Sequence, residues 1–184
     1  MNRAVIIVAL PSEFDKNNLY KDFPVIFSGV GKLNAAFATA EAIKLYQPEL
    51  VINLGTAGAV NQSPGELLEI GAVIQRDMDA RPLSPRGEIP FQKSFHSLES
   101  KFGNFKCGTG DSFVTEVDPW FIEAGIEVID MELYAIAYVC QKNSIPWRSV
   151  KYITDKIGSD SGDEWLGHLK LASDALHSYL PKLL

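Results

Sequence analysis

The sequence predicts a three-layer α/β fold in which helices flank a central, mostly parallel or mixed sheet. The run Ala4 to Leu10, A-V-I-I-V-A-L, is unbroken apolar sequence, typical of a strand buried on both faces. A strand, a glycine turn and a helix follow in succession between Val25 and Lys44. Val128 to Asp155 repeats the pattern as strand, helix and strand. Strands that alternate with helices in this way indicate an α/β sheet.

Further strands are expected in the middle of the chain. Leu50 to Leu54 predicts a third buried strand, followed by a turn of small residues at Gly55 to Ala59, where a ligand could approach the backbone. Gly71 to Ile74 and Phe105 to Thr109 predict two more strands. Val128 and Ile129 form a short strand, and Ser149 to Ile153 the last strand. These strands would form the sheet between the helical layers.

Two amphipathic helices are expected to bury an apolar stripe against that sheet. The helix that follows Gly31 would bury Leu33, Ala36, Phe37, Ala40 and Ile43 or Lys44. The terminal helix, Asp163 to Leu180, would bury Trp165 or Leu166, Leu169, Ala172, Leu176 and Tyr179 or Leu180. The polar segment between them predicts only a short helix, around Phe95 to Phe102.

Composition and charge favour a globular protein with a small-molecule partner. The 184 residues suit one domain spanning 1–184, and 46% hydrophobic with 22% charged residues is ordinary for a globular enzyme. The net charge of -6 comes without any basic run, which argues against partners such as nucleic acid or a membrane surface. The apolar start is too short to span a membrane and lacks a cleavage site, so a cytoplasmic location is expected.

The cysteines and histidines give no sign of a metal site. Cys107 and Cys140 stand far apart, and no C-x-x-C motif or histidine cluster accompanies them. Neither a zinc site nor a disulfide framework is therefore predicted, and no cofactor is expected.

Four carboxylates follow predicted strands and are candidate site residues. Asp130, Glu132 and Asp155 lie at the ends of the strand-helix-strand unit, and ligands of α/β sheets bind outside the carboxyl ends of strands. Glu13 follows the first strand in the same way. A helix cap or a turn would explain each of these residues taken alone, and both interpretations stay open. Phe113 follows another strand and would either stack on a planar ring or belong to the core.

The glycine turn Ser28-Gly29-Val30-Gly31-Lys32 is a weak motif. It lacks the spacing of a P-loop and the third glycine of a dinucleotide-binding turn. A nucleotide-phosphate cradle is therefore not predicted.

Taken in order, the motifs resemble those of the nucleoside phosphorylase and nucleosidase superfamily, and within it the 5′-methylthioadenosine/S-adenosylhomocysteine nucleosidases. The resemblance spans nearly the whole chain. Its blocks are I-I-V-A-L-P-S-E, S-G-V-G-K-L-N-A-A, V-I-N-L-G-T-A-G, D-M-D, G-D-S-F-V, V-I-D-M-E-L-Y-A-I-A-Y-V-C and I-T-D.

This resemblance implies hydrolysis of the N-ribosidic bond of a 5′-modified purine nucleoside. Glu13 is similar to the family's residue that activates the attacking water, and Asp155 to the acid that protonates the leaving purine. Cleavage builds positive charge on the sugar and negative charge on the base, so an acid and a positioned nucleophile are needed. A protonated, partly buried Asp155 and an ionised Glu13 would meet that need without a metal.

The resemblance also implies substrate-binding residues and a partner copy. Glu132 would hold the ribose hydroxyls above Met131, Phe113 would stack on the base and the Val114 backbone would contact the base edge. The Thr56-Ala57-Gly58 turn would lie beside the water and Val30 beside the 5′ substituent. The loop that reaches Pro90 would cross the interface of a homodimer to close the neighbour's pocket.

Several positions depart from the family pattern. Pro11 and Ser12 replace an acidic pair, Asp130 replaces a glutamate and Lys151 stands near a usual arginine. The chain is also short between Glu13 and Ser28, which would reshape the 5′ side of the pocket. Arg81 or Arg86 would then favour an anionic 5′ group, because guanidinium pairs well with carboxylate or phosphate.

Other functions remain open on the sequence. A futalosine hydrolase would share the motifs, and so would a purine nucleoside phosphorylase, although the turn from Ala9 to Glu13 offers no cation to bind phosphate. A non-catalytic nucleoside-binding protein is expected to lack Glu13 or Asp155, and both are present.

Overall fold

The computed structural model describes residues 4–14, 23–158 and 161–183, with backbone only for residues 93 and 161–167. Its strands are β1 (Ala4–Val8), β2 (Val25–Phe27), β3 (Leu50–Ala59), β4 (Leu67–Gln75), β5 (Leu98–Glu99), β6 (Phe105–Thr109), β7 (Val128–Asp130) and β8 (Trp147–Lys156). Its helices are α1 (Lys32–Tyr46), α2 (Pro119–Glu123), α3 (Leu133–Lys142) and α4 (Ser161–Tyr179). No helix among these residues is both long and apolar enough to cross a membrane.

The strands form one mixed sheet, as predicted, and part of it closes on itself. The pairing order is β2-β1-β3-β7-β6-β4-β5, and β8 pairs with both β3 and β4. Parallel pairs join β1 to β2 and β3, and β3 to β8. Antiparallel pairs join β3 to β7 and β4 to β8. The strands β3, β7, β6, β4 and β8 therefore form a closed ring that the sequence did not predict.

The first strand shows how the layers are built. Val5 and Ile7 point into a core shared with α1 and α3, whereas Ala4, Ile6 and Val8 point into a second core shared with α4. Because successive side chains of a strand alternate between its faces, a strand between two helical layers must be apolar at every position. The prediction of a central sheet with helices on both sides is confirmed.

Three strands are longer than predicted. β3 continues through Gly55 to Ala59, so these small residues are not a turn but the end of a strand paired with β8. β4 begins at Leu67, and β8 runs from Trp147 to Lys156. The polar and glycine residues that suggested chain breaks are accommodated because each strand has a partner on both sides.

The predicted buried face of α1 is wrong except at Ile43. Leu33 and Phe37 are 83% and 66% exposed. The helix instead packs its small side chains against α3, which allows the two helices to approach closely. The residues buried along α1 are Ala35, Thr39, Ala42 and Ile43.

Two more local predictions need correction. The segment around Phe95 to Phe102 is not a helix: a 3-10 turn at Lys93–Phe95 leads into β5, which pairs with β4. The short helix α2 was not predicted, although Asp118 caps it by accepting a hydrogen bond from the Trp120 amide at 2.9 Å. Ala172 and Leu176 of α4 are buried as expected, and so is Leu180, which directly follows the helix. Trp165 and Leu166 lie outside the described side chains.

Candidate active site

A cavity of about 260 Å³ opens beside the carboxyl ends of β1, β3, β6 and β7. Nearly all of the residues proposed from the sequence line it, and they come from segments far apart in the chain. They are Glu13, Val30, Thr56, Ala57, Gly58, Phe113, Val114, Met131, Glu132 and Asp155. The cavity is also lined by Ala9, Leu10, Arg76, Ser112, Ile129, Asp130 and Thr154.

Pro90 and the two loop arginines are not part of this cavity. Arg86 pairs with Asp118 at 2.6 Å and its guanidinium lies over the Trp120 ring. Arg81 pairs with its near neighbour Asp79. Both arginines are thus paired with carboxylates of their own chain, and their role toward an anionic 5′ group stays a prediction.

Glu13 is a buried carboxylate held by donors from two segments. The Thr56 amide and hydroxyl donate to its Oε1 at 2.9 and 2.6 Å. The Leu10 amide donates to Oε2 at 3.0 Å. An amide of the small-residue segment thus binds the chain's own glutamate. These bonds fix the orientation of Glu13 at the cavity wall.

A β-bulge places Asp155 in the same cavity. The register between β3 and β8 shifts here, since Ala57 pairs with Ile153 and Gly58 pairs with Asp155, which leaves Thr154 as the extra residue. Bulges re-aim side chains in this way, and both Thr154 and Asp155 line the cavity. The Thr154 hydroxyl donates to Asp155 Oδ1 at 2.7 Å.

Gly58 provides the space that Asp155 occupies. A Cβ atom at Gly58 would lie 3.2 Å from Asp155 Oδ2 and 3.3 Å from Ile129 Cγ1. A larger residue would therefore displace the carboxyl group from its place.

Asp130 binds the start of a helix and also lines the cavity. Its Oδ2 accepts a hydrogen bond from the Leu133 amide at the start of α3, at 2.9 Å. The same oxygen lies 2.8 Å from Lys151 Nζ in an ion pair whose two side chains are each 1% exposed. The Thr109 hydroxyl donates to Oδ1. Asp130 therefore ties β6, α3 and β8 together beneath the cavity.

Asp130 and Lys151 each favour the charged form of the other. Burial alone would raise the pKa of Asp130, but the Lys151 charge and the hydrogen bonds outweigh it and hold that pKa below its ordinary value. Burial likewise opposes the charged form of Lys151, yet the charges of Asp130 and Glu132 raise the pKa of the ammonium above its usual range. Both groups are charged at neutral pH.

The environment of Glu132 favours the neutral form of its carboxyl group. Burial raises its pKa to about 7, and the negative charge of Asp130 adds to the shift against the opposing effect of Lys151. The Gly31 amide donates to Glu132 Oε1 at 2.9 Å. This carboxyl group therefore titrates near neutral pH.

Glu132→Gln is expected to stabilise the ligand-free protein in alkaline solution. Between pH 4.5 and 7 the folded protein holds a proton at Glu132 that the unfolded chain releases, so stability falls as pH rises through this window. Above pH 7 the buried carboxylate is charged and destabilises the folded protein. Replacing it with glutamine should raise the free energy of unfolding by roughly 1–3 kcal/mol, after the cost of burying the glutamine amide is subtracted. Urea denaturation at several pH values measures the difference.

The difference should shrink as the pH approaches the ordinary pKa of glutamate, where both states are protonated. Glu41→Gln, an exposed position on α1, is the matched control and should change stability little at any pH. Equal stability of wild type and Glu132→Gln in alkaline solution would contradict the electrostatic account.

Phe113 is a cavity residue and not part of the core, since 58% of it is exposed. The neighbouring Val114 packs partly against a small core at α2. Sequence analysis left this choice open, and the structure favours an aromatic face that is free to meet a planar ring.

Two buried cations near the cavity were missed as site residues. Lys151 was noted only as a departure from a family pattern, yet a lysine inside an otherwise apolar central strand must be paired, and that signal points to an acidic partner. Arg76 directly follows β4, where its exposure of 4% could not be foreseen. Among the described residues, no group of three His, Cys, Asp or Glu side chains is arranged to hold a metal ion.

This fold is found in a known class of protein. The model of the phosphorylase superfamily matches residues 21–184, and the chain belongs to that superfamily.

Within it, the chain is similar to the 5′-methylthioadenosine/S-adenosylhomocysteine nucleosidases. The nucleosidase of Staphylococcus haemolyticus is 32% identical over an alignment 191 residues long, gaps included, which spans 89% of this chain and 83% of the relative. That of a Marinomonas species is 28% identical over an alignment of 181 residues, which spans 84% of this chain and 77% of the relative. The family predicted from the motifs is confirmed. The predicted enzyme class, an N-glycosyl hydrolase, is confirmed with it.

Solved structures share the whole fold. The 5′-methylthioadenosine/S-adenosylhomocysteine nucleosidase of Helicobacter pylori, in complex with butyl-thio-DADMe-Immucillin-A, superposes with a TM-score of 0.81 at 20% identity, covering 99% of this chain and 97% of that one. The futalosine hydrolase of Helicobacter pylori gives a TM-score of 0.84, also at 20% identity, covering 97% and 95%. At these identities the likeness concerns the fold and does not distinguish the two substrates.

Proposed function

We propose that this protein is a purine nucleosidase that hydrolyses the N-ribosidic bond of a 5′-modified nucleoside of the methylthioadenosine/S-adenosylhomocysteine type. The products are the free purine and the modified ribose. One observation carries the proposal: a single cavity brings together Glu13, Asp155, Glu132 and Phe113 from four separate segments. The named activity of the relatives supports the same reaction.

Two carboxyl groups divide the chemistry. Asp155 gives its proton to the imidazole nitrogen of the leaving purine as the carbon–nitrogen bond breaks. Glu13 accepts a proton from the water whose oxygen forms the new bond to the anomeric carbon. The donors from Thr56 and Leu10 support this role because they hold the Glu13 carboxylate in a fixed position.

The other cavity residues bind the substrate. Glu132 accepts hydrogen bonds from the two ribose hydroxyls, which lie above Met131. Its carboxyl group must be ionised to accept both hydrogen bonds. Phe113 stacks on the purine, and the Val114 backbone contacts its edge. The small side chains of Ala57 and Gly58 leave room for the sugar, while Thr56 holds Glu13 and Val30 borders the 5′ substituent.

The charge of the cavity supports water over phosphate as the nucleophile. Of the described residues that line it, four are carboxylic acids, namely Glu13, Asp130, Glu132 and Asp155, and the one cation is Arg76. Lys151, just behind the wall, is already paired with Asp130. A phosphate dianion in place of the water would meet the ionised Glu13 carboxylate, and the Nη donors of Arg76 are already bound to Gly110 and Ser112, which disfavours phosphate binding.

Base release from a panel of nucleosides tests the proposal. Methylthioadenosine, S-adenosylhomocysteine, futalosine, adenosine and inosine are each incubated with the protein, with and without phosphate, and the products are separated by chromatography. We expect phosphate-independent release of adenine from one or both of the first two substrates.

The other outcomes identify the alternatives. Release from futalosine alone would make the protein a futalosine hydrolase, and release that requires phosphate would make it a phosphorylase. Binding without release from any substrate would make it a nucleoside-binding protein.

We also propose that the protein is a homodimer with an interface beside the cavity. Val30, Leu33 and Phe37 are exposed apolar residues at the start of α1, and Val30 also lines the cavity. Exposed apolar clusters of this kind mark protein–protein contacts. The loop at Pro90, which does not line the cavity of its own chain, is then available to the neighbour's cavity.

Phe37→Glu is expected to convert the dimer to a monomer, because a charge in an apolar interface is left without a partner. Sedimentation velocity measures the mass. Leu171→Glu places the same charge on an exposed leucine of α4 and should leave the dimer intact. A wild-type protein that sediments as a monomer would refute the proposal.

A further inference from the structure

Arg76 is a buried arginine at the edge of the cavity, and both of its Nη atoms donate hydrogen bonds to one turn. Its Nη2 donates to the Gly110 carbonyl at 2.9 Å and also to the Ser112 carbonyl. Its Nη1 donates to the Ser112 hydroxyl at 3.0 Å. Burial lowers the pKa of the guanidinium from its usual value, and the charge of Asp77 opposes that shift. Burying this charge has a cost that the three bonds offset in part, since the buried Nε of Arg76 has no hydrogen-bond partner among the described residues.

The turn is shaped to receive the guanidinium. A Cβ atom at Gly110 would lie 2.8 Å from Arg76 Cζ and 2.9 Å from Nη1, so only glycine allows this contact. Asp77, which follows Arg76, and Asp111, which follows Gly110, add a further hydrogen bond. The Asp111 amide donates to Asp77 Oδ2 at 2.9 Å. The end of β4 therefore holds the backbone of residues 110–112 through both its carbonyls and an amide.

The held turn leads directly into Phe113. The side chains of Asp111, Ser112 and Phe113 are exposed, so the apolar core cannot fix the position of this segment. The direction in which the aromatic ring leaves the backbone is set instead by the residues before it, and those residues are bound by Arg76.

We propose that Arg76 is a positioning residue that fixes the 110–112 turn so that Phe113 and Val114 meet the purine ring. This inference rests on the proposed function for the role of Phe113. Arg76 acts through the turn and not on the reacting bond. Its loss should therefore weaken binding of the base more than it slows the chemical step.

The geometry requires a guanidinium and not merely a positive charge. The planar fork of arginine presents several donors in fixed directions, whereas a lysine ammonium is a single point on a flexible stem. Lysine cannot reach the Gly110 carbonyl, the Ser112 carbonyl and the Ser112 hydroxyl with the same geometry.

Calorimetric titration with free adenine and free hypoxanthine tests the inference without requiring turnover. Arg76→Met should weaken binding of the preferred base by about tenfold or more, since hydrogen bonds from a charged group are lost. KM for the preferred nucleoside should rise by a similar factor, with a smaller change in kcat. Arg148→Met is the matched control, because Arg148 pairs with Glu69 at 3.0 Å and does not line the cavity.

The two proposals fail differently. If the wild type binds a purine base but releases none from any nucleoside, the proposed hydrolysis fails while the role of Arg76 is still measured by titration. If Arg76→Met is folded and binds the base as the wild type does, the positioning role is refuted. The same loss of affinity in Arg148→Met would also refute it, because the effect would then be general destabilisation. A wild type that binds neither base refutes the inference as well.

Two milder variants keep the test decisive if Arg76→Met does not fold. Arg76→Lys keeps the charge and should still weaken base binding. Ser112→Ala removes one acceptor at an exposed position and should weaken base binding in the same direction by a smaller factor. Unchanged affinity in both variants overturns the proposal.

Discussion

Asp155→Asn is expected to lower kcat by about 100- to 10,000-fold, the contribution typical of one general acid. Asparagine has nearly the same shape and can still accept the hydrogen bond from the Thr154 hydroxyl, so the fold and substrate binding should persist. It carries no acidic proton, however, and the purine would have to leave as an anion. Steady-state kinetics with the preferred nucleoside, together with circular dichroism of the variant, measures the effect.

Asp118→Asn is the matched control for this experiment. Asp118 caps α2 outside the cavity, and asparagine caps helices about as well as aspartate. Its kcat should equal that of the wild type. Asp155→Asn with undiminished kcat would eliminate Asp155 as the acid, and the same result for Glu13→Gln would eliminate the second half of the mechanism.

Lys151→Met is expected to destabilise the protein by about 3–5 kcal/mol, the usual cost of leaving one member of a buried ion pair without its partner. Both side chains of the pair are almost fully buried, so water cannot replace the lost ammonium. Asp130 would then carry an uncompensated charge at the start of α3. Urea denaturation at neutral pH gives the free energy of unfolding.

The double variant Asp130→Asn/Lys151→Met should recover part of that loss, because it removes both charges together. Arg81→Met is the contrasting control. It breaks an ion pair with Asp79 that lies on the surface, and such pairs contribute little. If Lys151→Met unfolds at the same urea concentration as the wild type, the ion pair does not contribute to stability.

The parts of the fold that were predictable are those whose pattern has a single physical cause. An apolar run such as Ala4 to Leu10 has nowhere to lie except between two layers. The convergence of Asp130, Glu132 and Asp155 was predicted from parallel strand ends, but β7 runs antiparallel to β3, and these residues meet because Ile129 and Asp155 both lie opposite Gly58. Only the family motifs gave these residues roles, which the proposed experiments test.

The parts that were not predictable depend on partners distant in sequence. The stripe of Leu33 and Phe37 suggested a core face, yet α1 packs through its small residues. The bulge at Thr154 that turns Asp155 into the cavity arises from pairing with β3 and leaves no local pattern. Arg76 follows a strand as any charged residue does, and its binding to the turn before Phe113 appears only when β4 and β6 lie side by side.

The start of α1 has no side-chain cap of its own. Its first amides are bound by carboxylates from elsewhere: Glu132 accepts from Gly31, and Asp111 accepts from Lys32 at 2.7 Å. One carboxyl group therefore serves both the helix and the proposed sugar site. A descendant of this chain could exchange Glu132 to accept a different sugar only for a residue that still accepts from the Gly31 amide, as glutamine can, so specificity and architecture are linked at this position.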